Sequence, residues 1–201
     1  SKEDVFRVFE EEHFVSRDKT LLAYDIAQRE REILSTLHYK DGYSLYIGIP
    51  FCPSTCLYCS FTSYPIGAYR KRVEEYVDCL IEEMKATAEI MEGKILDTVY
   101  IGGGTPTTLE PQQLDRLIRN MKEIFNVSAV QEFTVEAGRA DSITKEKLKV
   151  LYKHGVSRIS VNPQTMKEET LRSIGRAATA AQTIEAYKMA RACGFDNINM
   201  D

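Results

Sequence analysis

Five short strand-like runs alternating with helical segments predict an α/β fold built from parallel βαβ units. Three observations carry that expectation. Runs at 44–50, 97–102, 131–137, 157–163 and 195–200 read as strands, the first of them β-rich. Helical periodicity of apolar residues fills the gaps between them. The unusual polar and glycine-rich motifs all fall at strand C-terminal ends, the functional rim of parallel α/β barrels. A barrel and a doubly wound open sheet both satisfy this rhythm.

The elements follow in order. Residues 1–41 read as a helical extension, with Leu22, Ile26, Ile33 and Leu37 roughly on one helical face. The texture then changes to alternation over 42–201. SLYIGIP ends the first strand on Pro50. From Tyr69 to Met91, Val73, Tyr76, Val77, Leu80, Ile81, Met84 and Ala88 recur at three- and four-residue steps, an amphipathic helix. DTVYIG is the second strand, and the helix after it opens on Pro111 and carries Leu114, Leu117, Ile118, Met121 and Phe125. QEFTVEA is the third strand, followed by a helix from Thr144 to His154 that stops at Gly155. SRISVNP is the fourth. Thr165 with Glu168 and Thr179 with Gln182 have capping-box spacing and predict two short helices before the fifth strand, FDNINM. The chain opens on Ser1 rather than Met and stops inside that last strand, so we read it as part of a longer protein.

Composition narrows the function classes. The 201 residues are 43% hydrophobic and 28% charged, a globular mixture that excludes disordered and collagenous chains. A net charge of −4 argues against a nucleic-acid surface, and no window is apolar enough for a membrane span. The five cysteines are odd in number and three lie within eight residues, unlike a secreted disulfide framework. Cys79 and Cys193 fit buried small hydrophobes in helical patterns.

The other three form Cys52-x3-Cys56-x2-Cys59, directly after the first strand. Short spacings let three thiolates converge on one metal centre, and an open fourth position suits an iron–sulfur cluster with one exposed iron. Zinc is the alternative, but it takes four protein ligands, and His13, His38 and His154 show no ligand spacing near the run. The second motif is IGGGTPT at 101–107, where glycines allow close approach to backbone. It lacks the Gly-Lys-Ser/Thr of a P-loop and does not fit G-x-G-x-x-G. Glu136 closes the third strand, Gln164 the fourth, and Asp201 lies in the fifth.

These features together resemble the radical S-adenosylmethionine superfamily. Within it, YIGIPFCPSTCLYCSF, IGGGTPTTL, FTVEAGR and RISVNPQTMKEETLRSIGR resemble the oxygen-independent coproporphyrinogen III oxidase (dehydrogenase) family, nearest its Gram-positive paralogue clade. The resemblance covers residues 44–201. It implies a partial, TIM-like (β/α)6 barrel, cut off after about five units, as the radical S-adenosylmethionine core at 42–201. Cys52, Cys56 and Cys59 would bind a [4Fe–4S] cluster. Gly103, Gly104 and Thr105 would line the methionine part of S-adenosylmethionine. Tyr46, Glu136, Gln164, Arg176 and Asp201 match further cofactor contacts; Arg176 could pair with a carboxylate. The implied reaction generates a 5′-deoxyadenosyl radical and decarboxylates two propionates of coproporphyrinogen III to give protoporphyrinogen IX. It implies a donor such as flavodoxin or ferredoxin and a reducing cytoplasm.

Two positions depart from the family's decarboxylases. Phe61 stands where they carry a further cysteine, and Gly48 where they carry histidine. The first change also resembles haem chaperones of the same family, so haem trafficking, or radical chemistry on another substrate, stays open. No residue is assigned as catalytic.

Overall fold

In the computed structural model, which describes residues 1–201, one sheet organises the site. Its strands are β1 (Gly42–Ile49), β2 (Ile95–Gly103), β3 (Glu132–Gly138), β4 (Arg158–Val161) and β5 (Ile198–Asn199), all paired in parallel. Each strand lies beside the one before it, so spatial order equals chain order. A doubly wound sheet reverses its strand order at a switch point. No reversal occurs here, which resolves the open alternative in favour of a partial barrel. The fourth and fifth strands are shorter than the sequence suggests. Pro163 has no N–H for the ladder, and Asn162 N instead donates to Gly138 O at 2.7 Å as the chain leaves β4.

The chain divides into two units, Ser1–Lys40 and Asp41–Asp201. In the first, α1 (Lys2–Arg7) starts from a capping box between Ser1 and Asp4 and leads through a π-helical turn toward α2 (Arg17–Leu34). Phe6 is buried edge-on to Tyr24, with ring centroids 6.0 Å apart, and the Arg17 guanidinium lies over its ring at 5.2 Å. The sequence suggests that Leu22, Ile26 and Ile33 form the packing face. They are exposed instead, because Thr20 and Tyr24, two positions out of phase, face α1.

In the second unit, α3 (Val73–Ile90), α4 (Pro111–Ile124) and α5 (Lys145–Lys153) supply the other half of the core. Val77, Leu80, Ile81, Leu114, Leu117, Ile118, Leu148 and Leu151 cluster with Ile47, Ile49, Ile101, Val135 and Ile159 from the sheet. Burying these side chains at roughly 1.5–3 kcal/mol each is the main force holding the unit together. Cys79 is not part of it: the thiol is exposed, seven and four residues beyond Arg72 and Glu75 on the solvent side of α3. Cys193, at the C-cap of α7 (Ala180–Ala192), is half-buried at the margin of the core. The helix before α7 is α6 (Glu168–Ser173). Its expected capping box does not form, since Thr165 Oγ1 accepts from Lys167 N at 3.2 Å and Lys167 is the N-cap. Glu168 accepts from Ala180 N, whereas Thr179 and Gln182 form their box as expected.

Candidate functional site

Beyond Ile49, the chain passes through Phe51–Cys52, which pairs with Tyr64–Pro65 and so closes a loop over 53–63. This small pairing has no signal in the sequence. The backbone after β2 crosses it closely: Gly104 N donates to Ile49 O and Thr105 N to Phe51 O, both at 2.7 Å. A Cβ on Gly104 would stand 2.7 Å from Phe51 O and 3.0 Å from Cys52 Sγ; on Gly103, where φ is +107°, it would stand 2.9 Å from Ile49 O. The glycines are therefore demanded by protein packing as well as by any ligand. The crossing sets Thr105 Oγ1 at 3.3 Å from Cys52 Sγ. Burial pushes the Cys52 thiol up, opposed by that hydrogen bond and by the nearby Arg139 charge.

The loop is tied down at several points. Leu57 N donates to Ile174 O at 3.0 Å, Ser54 Oγ to Gly175 O at 3.0 Å, and Cys59 N to Cys56 O at 3.0 Å. Cys52 and Cys56 are buried and Cys59 half-exposed, and all three line one cavity of about 340 Å³. As the side chains stand, no three Cys, His, Asp or Glu groups converge closely enough to grip an ion. Cys52 is turned toward Thr105, and Cys59 Sγ lies 3.8 Å from Phe61 O.

The residues that the resemblance matches to cofactor contacts line the same cavity: Tyr46, Gly103, Gly104, Thr105, Glu136, Gln164, Arg176 and Asp201. Glu136 accepts from Tyr100 OH at 2.6 Å, and Tyr100 stacks on Tyr46 with centroids 5.8 Å apart and planes 12° from parallel. Burial raises the Glu136 carboxyl above its ordinary range, partly countered by the Tyr100 bond. Burial and that same bond push the Tyr100 phenol up. Gln164 holds φ at +63°, a left-handed conformation uncommon for a non-glycine residue, and its N–H donates to Asp201 O at 2.9 Å. Arg176 is half-buried and donates from Nη1 to Asn162 O at 2.6 Å. Its Nε and the Asn162 Oδ1 are buried without partners.

The cavity wall also contains Tyr58, Phe61, Gly138, Arg139 and Asn162. Arg139 is the largest omission of the sequence reading: it is 3% exposed and bonded to the cysteine loop. Its position just past the third strand, three residues after Glu136, was an available signal. Tyr100 had one as well, since it shares the alternation of its strand with Gly102, on the face where Glu136 stands.

Residues 46–201 match the family model of the radical SAM superfamily. The chain belongs to the radical SAM superfamily. The cofactors of this superfamily are a [4Fe–4S] cluster and S-adenosylmethionine. Over its whole length the chain is 42% identical to the oxygen-independent coproporphyrinogen-III oxidase-like protein HemZ of Bacillus subtilis, and covers 41% of that protein. Over 79% of its length it is 39% identical to the heme chaperone HemW of the same organism, again covering 41%. The solved structure of coproporphyrinogen III oxidase HemN from Escherichia coli, described as a radical SAM enzyme, superposes with a TM-score of 0.72 at 26% identity. That match covers 85% of this chain and 39% of that one. The chain thus spans about two fifths of the relatives it matches, and its five parallel strands form part of the radical SAM barrel. No helix is long and apolar enough to cross a membrane.

The residues present fit those cofactors. Three thiols on one short loop are a soft donor set suited to iron–sulfur binding. The unpartnered Arg176 Nε and Asn162 Oδ1 offer a donor and an acceptor on the wall that a ligand carrying both polar types would satisfy.

Proposed function

We propose that this chain is the cofactor-binding core of a radical enzyme acting on a tetrapyrrole, and that its reaction is the oxidative decarboxylation of coproporphyrinogen III to protoporphyrinogen IX. The observation that carries this reading is the convergence of Cys52, Cys56, Cys59, the Gly103–Thr105 turn, Glu136, Gln164, Arg176 and Asp201 on a single cavity at the carboxyl ends of the strands. In parallel barrels that rim is where chemistry is placed. When bound, the cluster and S-adenosylmethionine supply one-electron chemistry that removes hydrogen from an unactivated carbon.

The chain's own residues bind and orient. Cys52, Cys56 and Cys59 hold the cluster. Gly103, Gly104 and Thr105 form the floor, and Tyr46 stands at the mouth, stacked on Tyr100. Glu136 and Asp201 accept hydrogen bonds from cationic or hydroxyl groups, Arg176 donates to a carboxylate, and Gln164 offers both polar types. The electron comes from a small carrier such as flavodoxin or ferredoxin, and the exposed cluster favours a reducing cytoplasm.

A second reading is haem trafficking on the same core. It is favoured by the likeness to heme chaperone HemW and by Phe61, which lines the cavity where the decarboxylases carry a cysteine. The deciding experiment uses full-length protein reconstituted anaerobically with iron and sulfide, then incubated with reductant, S-adenosylmethionine and coproporphyrinogen III. Mass spectrometry should find 5′-deoxyadenosine and decarboxylated porphyrin together, with both lost in Cys56→Ala and retained in Cys79→Ala. Deoxyadenosine alone points to another substrate. Neither product from a cluster-loaded sample, with stoichiometric haem binding, moves the function to trafficking.

A further inference from the structure

Arg139 stands in the cavity wall and is bonded to the cysteine loop. Its guanidinium is pinned by Asp141, with Nε 3.0 Å from Oδ1 and Nη2 2.7 Å from Oδ2. That bidentate grip fixes the plane of the fork and aims Nη1 away from Asp141. Nη1 donates to Ser54 O at 2.8 Å and Ser54 Oγ at 3.0 Å, and reaches Cys56 Sγ at 3.8 Å. The side chain is almost wholly buried, so water screens its charge little. Arg139 follows β3, while Ser54 and Cys56 follow β1, so the contact crosses two strand ends.

We propose that Arg139 is a positioning residue for the thiol-bound centre: it ties the cysteine loop to the end of β3 and holds a fixed positive charge against the Cys56 sulfur. The proposal rests on the cluster reading given above. Cluster potentials are set by nearby charge and by hydrogen bonds to the sulfurs, both of which favour the reduced, more negative state when they come from a cation. An arginine in this place makes the cluster easier to reduce.

The test compares Arg139→Gln and Arg139→Lys with wild type as full-length, anaerobically reconstituted protein. The measurements are iron and sulfide content and a potentiometric titration followed by electron paramagnetic resonance. With loaded cluster, Arg139→Gln should lower the reduced-to-oxidised ratio at a fixed potential by about tenfold, ~59 mV for a one-electron couple. Arg139→Lys, which keeps the charge, should stay near wild type. A loaded Arg139→Gln protein with the wild-type potential overturns the proposal. Should the glutamine variant fold without taking up cluster, loading of the lysine variant supports the proposal and failure of both overturns it. A wild-type protein that binds zinc and no sulfide sinks the cluster reading itself, which is visible before any variant is compared.

Discussion

Glu136 is a carboxyl group in a place that disfavours its charge. Burial raises its ionisation above the ordinary range, so across the window between the ordinary and the raised value the folded chain keeps a proton that the unfolded chain releases. Stability therefore falls as pH rises through that window and stays lower above it. Glu136→Gln removes the titration but leaves an acceptor for Tyr100. Its melting temperature should match wild type below the window and exceed it at neutral pH, while its binding of S-adenosylmethionine weakens. Melting curves between pH 4 and 8 check this, and a difference that does not change with pH counts against it. The same residue shows what was readable from sequence. The position of Glu136 at a strand end was enough to place it in the site. Its partner Tyr100, 36 residues away, required the register of two strands. Arg139 has the same kind of strand-end position three residues later, but its burial against Ser54, 85 positions earlier, is a long-range contact that the strand end does not carry.

At the scale of elements, the glycine-rich turn is supported from behind by a buried polar network. After Gly104 the chain makes a 3-10 turn, Pro106–Thr108, whose Thr107 Oγ1 donates to Ala137 O at 2.7 Å and lies 2.6 Å from Ser142 Oγ. Lys147, near the start of α5, donates from Nζ to Thr107 O at 2.6 Å and to Ser142 O at 3.2 Å. Burial pulls its ammonium below the usual lysine range. Each member is buried, so deleting one strands its partners. Thr107→Val should cost about 1–3 kcal/mol and Thr107→Ser much less, read as the shift in urea midpoint. Equal midpoints for the two variants would show that the hydroxyl network is not what holds the turn. Helices α3 and α4 were legible because each repeats its apolar residues over three or more turns, and the nine-residue α5 because Gly155 stops it. The two-residue pairing of Phe51–Cys52 with Tyr64–Pro65 was not, since it is too short to carry a period.

Across the whole molecule, the sheet order that decides barrel against open sheet is a long-range property that strand periodicity does not contain. The same order gives the cysteine loop its reach. It leaves β1, meets the Gly103–Thr105 turn after β2, takes Arg139 from the end of β3, and bonds to Ile174 and Gly175 after α6. One loop thus joins the start of the barrel to segments more than a hundred residues later in the chain. Such coupling predicts the effect of metal removal. Chelating iron from reconstituted protein should raise amide exchange by about tenfold or more at 53–63 and also at 174–176, where opening equilibria are set by those bonds. The core formed by α4 and the middle of β2 is held by apolar packing and should exchange as before. An increase confined to 53–63 would mean that the bonds to Ile174 and Gly175 transmit nothing, and that the loop and the far wall of the cavity order independently.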